Sequence, residues 1–207
     1  MAGIPLIQHY ALPDSGSLPG NTVSWHVDSS RALLLIHDMQ NYFLSPLPLT
    51  LRETLTSNIA ALRTRCLQAG IPVAYTAHPG RMTEKERGLL HDFWGPGMET
   101  KPSDQDVALS IQPSADDWVF TKWRYSAFFR TELKQRMQEN CRDQLMLCGV
   151  YAHIGVMMSA VDAFTNDIQP FLVADGVADF SEDRHHQALE YVAQRCGKVV
   201  TAEGALA

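Results

Sequence analysis

The sequence lacks the features that would place it in a membrane, on a nucleic acid or outside the cell. No apolar run approaches the ~20 residues of a transmembrane helix, and no signal peptide precedes the first predicted strand. Its 17 Lys and Arg residues are outnumbered by 23 Asp and Glu residues, and the formal net charge of -6 argues against a basic face for nucleic acid or anionic lipid. We expect a cytoplasmic protein that binds neither nucleic acid nor membrane, although a local basic pocket could still hold an acidic metabolite.

Cysteine is also scarce and is arranged for neither disulfide bonds nor zinc. No CxxC pair and no zinc-ligand spacing occurs among the four cysteines, which are Cys66, Cys141, Cys148 and Cys196. We expect free thiols in a reducing compartment. The 207 residues suffice for one sizeable core, and no repeat, low-complexity tract or linker divides them. One domain is predicted over residues 1–207, with residues 1–30 as an extended N-terminal arm.

The segment that ends at Asp38 carries the clearest chemical signal. The apolar run at residues 32–36 predicts a buried strand, and a carboxylate follows it almost at once. Ligands of open α/β sheets bind outside the carboxyl ends of the strands, so a charged side chain at this point is well placed for catalysis. The alternative is that Asp38 is the N-cap of a following helix, a position that aspartate favours.

Helix and strand patterns alternate along the rest of the chain. Thr50 and Glu53 form a capping-box pattern for a helix over residues 50–70, and Ser181 begins another helix with acidic residues in its first turn. The remaining patterns predict helices over 127–140 and 153–166 and strands over 72–76, 118–121, 144–148, 169–173 and 198–201. Between the second and third strands, residues 77–116 are predicted to form a long irregular loop over a pocket.

This alternation predicts an α/β fold, a three-layer doubly wound sheet of about six mainly parallel strands with helices on both faces. Residues that follow the strands of such a sheet converge at one edge. Lys122 follows the third predicted strand and Tyr151 follows the fourth. A carboxylate beside an ammonium can serve acid–base chemistry while the cation holds an anionic substrate. The alternatives are a solvated lysine at a strand end and a core aromatic at a helix start.

Several segments, taken together, resemble the isochorismatases. They are LIHDMQ (35–40), YTA (75–77), WGPG (94–97), KWRYSAF (122–128), GVYAHIG (149–155) and DIQPFLVAD (167–175). The resemblance covers nearly the whole chain and implies the isochorismatase-like hydrolase fold. Within the family the chain is most similar to the stand-alone phenazine-pathway members, which hydrolyse 2-amino-2-deoxyisochorismate. This resemblance implies no aryl-carrier domain, a domain that siderophore-pathway members often carry in addition.

The resemblance also implies a mechanism that needs no metal or cofactor. Protonated Asp38 gives its proton to the methylene carbon of the substrate's enolpyruvyl vinyl ether, and water adds to the oxocarbenium ion. The hemiketal collapses to pyruvate and trans-2,3-dihydro-3-hydroxyanthranilate, or to the 2,3-dihydrodiol when isochorismate is the substrate. An aspartate with an ordinary pKa near ~3.9 is ionised at neutral pH, so a dianionic substrate would have to raise that pKa on binding.

The family's site carries over onto individual residues of this sequence. The resemblance makes Asp38 and Lys122 the catalytic pair and places Arg87 with Lys122 on the substrate carboxylates. The other substrate-binding residues that it implies are His78, Trp94, Tyr125, Tyr151 and Gly155. Relatives also have a cis peptide bond between residues 150 and 151. His78 departs from the glutamine of close relatives and could carry charge as well as form hydrogen bonds.

Two other functional classes are the alternatives to this hydrolase. An amidase of the same superfamily would need a cysteine where this chain has Gly155, which cannot form an acyl-enzyme, and Cys148 lies in a predicted buried strand. A non-catalytic binding or scaffold protein would have no need to retain Asp38, Lys122 and Arg87 together. Docking to pathway proteins could nevertheless coexist with catalysis.

We expect that the protein binds no metal ion and that it forms a homodimer. His37 and Asp38 are neighbours on a strand, where successive side chains face opposite ways, and the adjacent His185 and His186 do not converge on a helix. The apolar residues of the arm, together with the dimers that relatives form, lead us to expect a homodimer. The implied partner molecule is a small dianionic substrate.

Overall fold

The computed structural model describes residues 3–99 and 101–206 and contains a six-stranded sheet whose neighbouring strands are all parallel. The strands are β1 (Ala32–His37), β2 (Val73–Ala77), β3 (Trp118–Thr121), β4 (Gln144–Val150), β5 (Gln169–Ala178) and β6 (Lys198–Val200). Their order across the sheet is β3-β2-β1-β4-β5-β6. All six strands were predicted, although β5 runs five residues beyond its predicted end.

The strand order explains why candidate site residues directly follow β1 and β4. The chain builds one half of the sheet outward from β1 and the other half outward from β4, so the order reverses between these two strands. Every residue of β1 and β4 is buried, because helices cover both faces of the sheet centre. Such a reversal leaves a crevice at the carboxyl ends of the two strands. Asp38 and Tyr151 directly follow them.

Helices form a layer on each face of the sheet. In chain order they are α1 (Asn41–Leu44), α2 (Leu49–Gln68), α3 (Glu84–Arg87), α4 (Leu90–Trp94), α5 (Pro102–Gln105), α6 (Leu133–Glu139), α7 (Met157–Thr165) and α8 (Glu182–Arg195). The apolar side of α2 packs in one core cluster, and buried residues of α6, α7 and α8 pack in a second cluster across the sheet. The predicted three-layer α/β architecture is confirmed. No helix in the described ranges is long and apolar enough to cross a membrane.

Three local predictions were wrong. Helix α2 begins at Leu49 with Pro48 as its N-cap and has no side-chain cap, so Thr50 lies inside the first turn and makes no capping box. Helix α6 begins at Leu133 rather than at 127, because Arg130 adopts a left-handed φ of 54° that interrupts helical geometry. The segment 77–116 is not a plain loop, since α3, α4, α5 and a 3-10 turn at Leu109–Ile111 lie within it.

The N-terminal arm packs against the chain's own core. Residues 3–30 form no helix or strand, but Ile7 and Tyr10 are buried. The backbone N–H of Asp179 donates a hydrogen bond of 2.7 Å to the Tyr10 hydroxyl, which in turn donates to His185. Leu6, by contrast, is 92% exposed. The arm is therefore anchored from Ile7 onward, and Ser181 caps α8 beyond it as predicted.

Candidate active site

Asp38 lies where β1 leaves the sheet, in a left-handed conformation with φ of 52°. Two hydrogen-bond donors hold its buried carboxyl group. The hydroxyl of Thr76 donates to Oδ1 at 2.7 Å, and Nζ of Lys122 donates to Oδ2 at 2.8 Å. The N-cap alternative is wrong, because the next helix begins at Asn41 and its N-cap is Gln40.

Lys122 reaches this carboxylate from the end of β3. Its backbone N–H donates to the carbonyl of Ala77 at 2.9 Å, which continues the pairing of β2 and β3 by one residue. Its side chain is only 2% exposed. The alternative of a solvated lysine is therefore wrong. A buried ammonium beside a buried carboxylate is costly unless the two groups compensate each other, and at 2.8 Å they do.

The electrostatics of the pair favour the charged form of Asp38 in the free protein. Burial by itself would raise the pKa of Asp38, but the neighbouring His37, Lys122 and His78 oppose it and hold the pKa well below its usual range. Burial lowers the pKa of Lys122, and the Asp38 carboxylate opposes that shift. Without a ligand the two side chains therefore form an ion pair at neutral pH.

Two histidines flank the pair and are neutral at pH 7. Burial lowers the pKa of His37 to about 4, and burial together with Lys122 lowers that of His78. Nδ1 of His37 donates to the carbonyl of Val150 at 2.9 Å and lies 3.5 Å from Oδ2 of Asp38. The prediction that His37 and Asp38 face opposite ways was wrong, because the left-handed turn at Asp38 brings its carboxyl group back toward the imidazole. The positive charge nearest Asp38 is thus that of Lys122.

Gln40 fixes the position of His78. Its Oε1 accepts from the backbone N–H of His78 at 2.7 Å, and its Nε2 donates to the carbonyl of the same residue at 3.0 Å. The His78 imidazole then lies with Nε2 3.1 Å from Nζ of Lys122 and 3.3 Å from Oδ2 of Asp38. A neutral imidazole in this position accepts from the Lys122 ammonium through Nε2 and carries its own proton on Nδ1.

A pocket with aromatic walls opens beside these groups. Its lining consists of Ile4, Tyr42, Phe43, His78, Arg87, Leu90, Trp94, Lys122, Tyr125, Tyr151, Ile154, Gly155 and Phe180. The Trp94 indole donates to the Tyr125 hydroxyl at 2.8 Å, and the rings of Tyr151 and Phe180 lie 4.6 Å apart between centroids. The pocket is therefore a mainly apolar chamber with two cations, Arg87 and Lys122, at its wall.

The positive charge of Arg87 is less neutralised by neighbouring groups than that of Lys122. Its Nε donates to the carbonyl of Gly95 at 2.8 Å, and its guanidinium packs against Gly97, where a Cβ would lie 3.0 Å from its Cζ. Gly97 has no Cβ to obstruct this approach, and its φ of 84° is one that glycine adopts readily. Within the described residues no carboxylate lies at ion-pair distance from Arg87. Its remaining N–H groups are available to an anion.

The turn after β4 supplies another part of the pocket wall. The peptide bond between Val150 and Tyr151 is cis, as the resemblance implied. The Tyr151 hydroxyl donates to the carbonyl of Phe43, and its ring lies against Phe180, so this residue is buried and also lines the pocket. A one-turn π-helix at Ala152–Val156 follows and presents Gly155 to the pocket.

All seven residues predicted to bind or act on substrate, other than Asp38 itself, line this one pocket, and Lys122 also contacts Asp38. The predicted set that lines the pocket is His78, Arg87, Trp94, Lys122, Tyr125, Tyr151 and Gly155. Sequence reasoning missed Thr76 and Gln40, which hold Asp38 and His78 in place, and missed Ile4 and Phe180 in the lining. The strand-end rule could have found Thr76, since it pairs with His37 in the register of β1 and β2. Phe180 offered no such signal.

The remaining candidate groups are a cysteine nucleophile and histidine ligands for a metal ion. Cys148 is fully buried within β4, where burial raises the pKa of its thiol well above the usual value, so it is no candidate nucleophile. Both ring nitrogens of His185 already form hydrogen bonds, Nδ1 with the Tyr10 hydroxyl and Nε2 with the carbonyl of Ala174. No three His, Cys, Asp or Glu side chains in the described ranges are grouped to hold a metal ion. Independence of metal stays a prediction for activity measurements.

Comparison with known proteins points to one family. The family model described as isochorismatase domain matches residues 32–204. Phenazine biosynthesis protein PhzD1 of Pseudomonas aeruginosa is 58% identical over 206 residues, with 100% of both chains covered. An isochorismatase of Bacillus subtilis is 48% identical over 208 residues, covering 98% of this chain and 66% of that protein. The solved structure of a cysteine hydrolase from Pseudomonas syringae pv. phaseolicola has a TM-score of 0.80 at 20% identity, covering 90% of this chain and 95% of its own, and shows the shared fold alone.

Proposed function

Because the chain belongs to the isochorismatase family, we propose that it hydrolyses the enolpyruvyl vinyl ether of 2-amino-2-deoxyisochorismate. It is a hydrolase of isochorismate-type substrates, as its similarity to PhzD1 and to an isochorismatase indicates. The preference for the aminated ring is our inference. It is supported by 58% identity along the whole length of a phenazine biosynthesis protein.

The observation that carries the proposed chemistry is the Asp38–Lys122 ion pair at the edge of an aromatic pocket. Asp38 has one carboxyl oxygen 2.8 Å from the Lys122 ammonium, and Lys122 itself lines the pocket. A second cation, Arg87, stands free of any carboxylate among the described residues. Two cations suit a substrate with two carboxylates, and the aromatic walls suit its ring.

Substrate binding converts Asp38 from a carboxylate into a protonated acid. A substrate carboxylate that approaches Lys122 shares the positive charge that now stabilises the Asp38 carboxylate. Exclusion of water from the pocket further disfavours that carboxylate. Both changes raise the pKa of Asp38, and each pKa unit corresponds to only about 1.4 kcal/mol. The proton that Asp38 takes up on binding is the one it delivers in the reaction.

The chemical steps then balance without any added reagent except water. Asp38 gives its proton to the methylene carbon as the electrons of the carbon–carbon double bond form the new C–H bond. The ether oxygen shares the positive charge that develops on the adjacent carbon. Water adds to that carbon, and the proton it loses restores the acid form of Asp38. The hemiketal hydroxyl then loses its proton and becomes the ketone of pyruvate, while the C–O bond to the ring breaks and the ring oxygen takes up a proton to give the dihydro-hydroxy product.

An amidase function has less support. The position that carries the nucleophilic cysteine in that class is Gly155, and the buried Cys148 sits within the sheet. Protonation of a vinyl ether requires an acid and a water molecule but no acyl-enzyme. The same residues that disfavour the amidase are therefore compatible with the proposed reaction.

Two further expectations belong with this proposal. We propose a homodimer, supported by large apolar side chains that the described residues leave exposed, among them Leu6, Leu89, Phe93 and Leu109. We also place the reaction in the cytoplasm, supported by four free thiols. Light scattering coupled to gel filtration would measure the first, and a monomeric mass would contradict it. Fractionation of the producing cells would measure the second.

The experiment that tests the function is pyruvate release, coupled to lactate dehydrogenase, from 2-amino-2-deoxyisochorismate and from isochorismate in parallel. We expect pyruvate from both, with the higher kcat/KM for the aminated substrate and no loss of rate when a chelator is added. Asp38→Asn should abolish turnover and retain substrate binding by calorimetry, because the amide fills the same space but is no acid. Asp116→Asn, an exposed change, is the matched control. Normal turnover by Asp38→Asn would contradict the mechanism.

His78 provides a test of ring preference in the same assay. Its backbone is clamped by Gln40, so His78→Gln changes the side chain beside the ring without releasing the strand end. We expect the ratio of kcat/KM for the two substrates to change by several-fold in this variant. An unchanged ratio would mean that His78 does not contact the substituent that distinguishes them.

A further inference from the structure

Thr76 makes two contacts with the same functional residue. It lies buried in β2, paired with His37 of β1, so its side chain is next to Asp38. The hydroxyl donates to Oδ1 of Asp38 at 2.7 Å and accepts from the backbone N–H of Asp38 at 3.2 Å. That N–H also lies 3.2 Å from the carbonyl of Thr76. One buried side chain thus holds both the backbone and the carboxyl group of the proposed acid.

The two oxygens of the Asp38 carboxyl group differ in their surroundings. Oδ2 contacts Lys122 at 2.8 Å and His78 at 3.3 Å, and both of these residues line the pocket. Oδ1 contacts Thr76, which is only 1% exposed and is absent from the pocket lining. Oδ2 is accordingly the oxygen on the pocket side, and Oδ1 is the oxygen on the interior side.

The buried hydroxyl determines which oxygen can hold the acid proton. The only acceptor for the Thr76 hydroxyl proton among the described residues is Oδ1 of Asp38. If Oδ1 carried the acid proton, two O–H groups would compete for one contact, and a buried donor would be left without an acceptor. Leaving such a donor unpaired is costly. Oδ1 therefore stays the carbonyl-type oxygen, and the proton resides on Oδ2.

We propose that Thr76 is a positioning residue of the reaction, which directs the acid proton of Asp38 to Oδ2, toward the substrate. This inference rests on the proposed function. When the proton passes from Oδ2 to the methylene carbon, the electron pair of the O–H bond stays on Asp38, which becomes a carboxylate. The Thr76 hydrogen bond then becomes charge-assisted and stronger, so it also favours the transfer.

The test compares Thr76→Val, which keeps the shape and removes the hydroxyl, with Thr76→Ser, which keeps the hydroxyl. We expect Thr76→Val to lower kcat roughly 10- to 100-fold with little change in KM, the effect of losing one hydrogen bond to a developing charge. Thr76→Ser should keep kcat within a few-fold of the wild type. Because the lost bond favoured the carboxylate, the limb of the pH profile on which activity declines should move to higher pH in Thr76→Val. Thr64→Val, whose hydroxyl bonds only to a helix carbonyl, is the matched control.

The outcomes distinguish failure of the proposed function from failure of the positioning role of Thr76. If the wild type releases no pyruvate from either substrate, the proposed function fails. If the wild type is active and Thr76→Val retains the wild-type kcat and pH profile, the positioning role alone is overturned. Equal losses in Thr76→Ser and Thr76→Val would overturn it as well, since they would assign Thr76 a packing role. If Thr76→Val does not fold, as judged by its thermal unfolding, Thr76→Ala takes its place with the same expected loss and the same contradiction.

Discussion

The imidazole of His37 occupies the space into which a side chain at position 155 would project. A Cβ built on Gly155 would lie 2.3 Å from Cε1 of His37 and 3.1 Å from the carbonyl oxygen of Tyr125. The ring cannot move aside freely, because it is fully buried and its Nδ1 is bonded to the carbonyl of Val150. His37 and Gly155 are therefore complementary in size. This pairing gives a steric reason why position 155 holds no nucleophile here.

Gly155→Ala should lower both stability and turnover. The added methyl group must displace the His37 ring beside Asp38, and overpacking of this kind costs about 1–3 kcal/mol of unfolding free energy. Urea denaturation and pyruvate release measure the two effects. Gly20→Ala is the control, because nothing lies within 4 Å of a Cβ there.

The pairing also predicts coupling between the two positions. His37→Ala should make room for the methyl group, so the double variant His37→Ala/Gly155→Ala should lose less stability than the two single losses added together. Strict additivity would show that the ring and position 155 do not compete for space. Wild-type behaviour of Gly155→Ala would contradict the steric argument directly.

Lys122→Met should destabilise the protein and abolish turnover. The variant removes the ammonium that compensates a buried carboxylate 2.8 Å away, and such a loss typically costs about 3–5 kcal/mol. Burial would then act on Asp38 without the Lys122 ammonium to oppose it and raise its pKa, so the carboxyl group would be neutral over a wider pH range. Adding Asp38→Asn to this variant should recover part of the stability, because no buried charge would remain.

The measurements are urea denaturation and pyruvate release. Lys134→Met is the matched control, since Lys134 is exposed and bonds only to Asn166. If Lys122→Met were as stable as the wild type, the ion pair would contribute nothing to folding. If it kept full turnover, the proposed role of Lys122 on the substrate carboxylate would be wrong.

The strand-end rule accounts for how much of the site could be predicted. Asp38 and Lys122 each follow a strand of one parallel sheet, and the carboxyl ends of all such strands lie at the same edge, so their presence at one edge was foreseeable. The residues Arg87, Trp94 and Tyr125 lie outside the strands and were predicted only through resemblance to a family. The six strands could be predicted because most contain a short apolar run, whereas the residues of β3 alternate between buried and exposed.

What could not be predicted depended on backbone conformations that no pattern reveals. The left-handed turn at Asp38 brings its carboxyl group near His37, against the alternation expected of a strand. Arg130, likewise left-handed, delays the start of α6 to Leu133. Phe180 reaches the pocket because β5 continues beyond its predicted end. Each depends on tertiary contacts rather than on local propensity.

Stability should decline between pH 6.5 and pH 4 because of buried histidines. Burial lowers the pKa of His37 and of His185 to about 4 in the folded state. Between the unfolded value of ~6.5 and that folded value, the unfolded chain binds protons that the folded chain does not, so the unfolding free energy falls as the pH falls. The loss should approach about 3 kcal/mol per histidine at pH 4.

Urea denaturation at pH 7.5, 6.0 and 5.0 measures this slope. His185→Gln should make it shallower, because the variant removes one of the buried histidines whose pKa is lowered while leaving the active site untouched. His186→Gln, which removes an exposed imidazole next to it, is the control. A slope that is the same in His185→Gln and in the wild type would show that His185 does not contribute.

Ile4→Ala should weaken substrate binding while leaving the chemical step intact. Ile4 belongs to the N-terminal arm yet lines the pocket together with Phe43 and Phe180, and the arm behind it is fixed where the N–H of Ile7 donates to the carbonyl of Pro46 at 3.2 Å. Loss of apolar contact with the ring should raise KM roughly three- to thirty-fold, as expected from about 0.8 kcal/mol per buried methylene group. The value of kcat should hardly change, because an aliphatic side chain in the pocket wall takes no part in proton transfer and binds ground state and transition state alike. Leu6→Ala, two residues away and 92% exposed, is the control and should keep the wild-type KM. An unchanged KM in Ile4→Ala would mean that the arm covers the pocket without contacting the substrate.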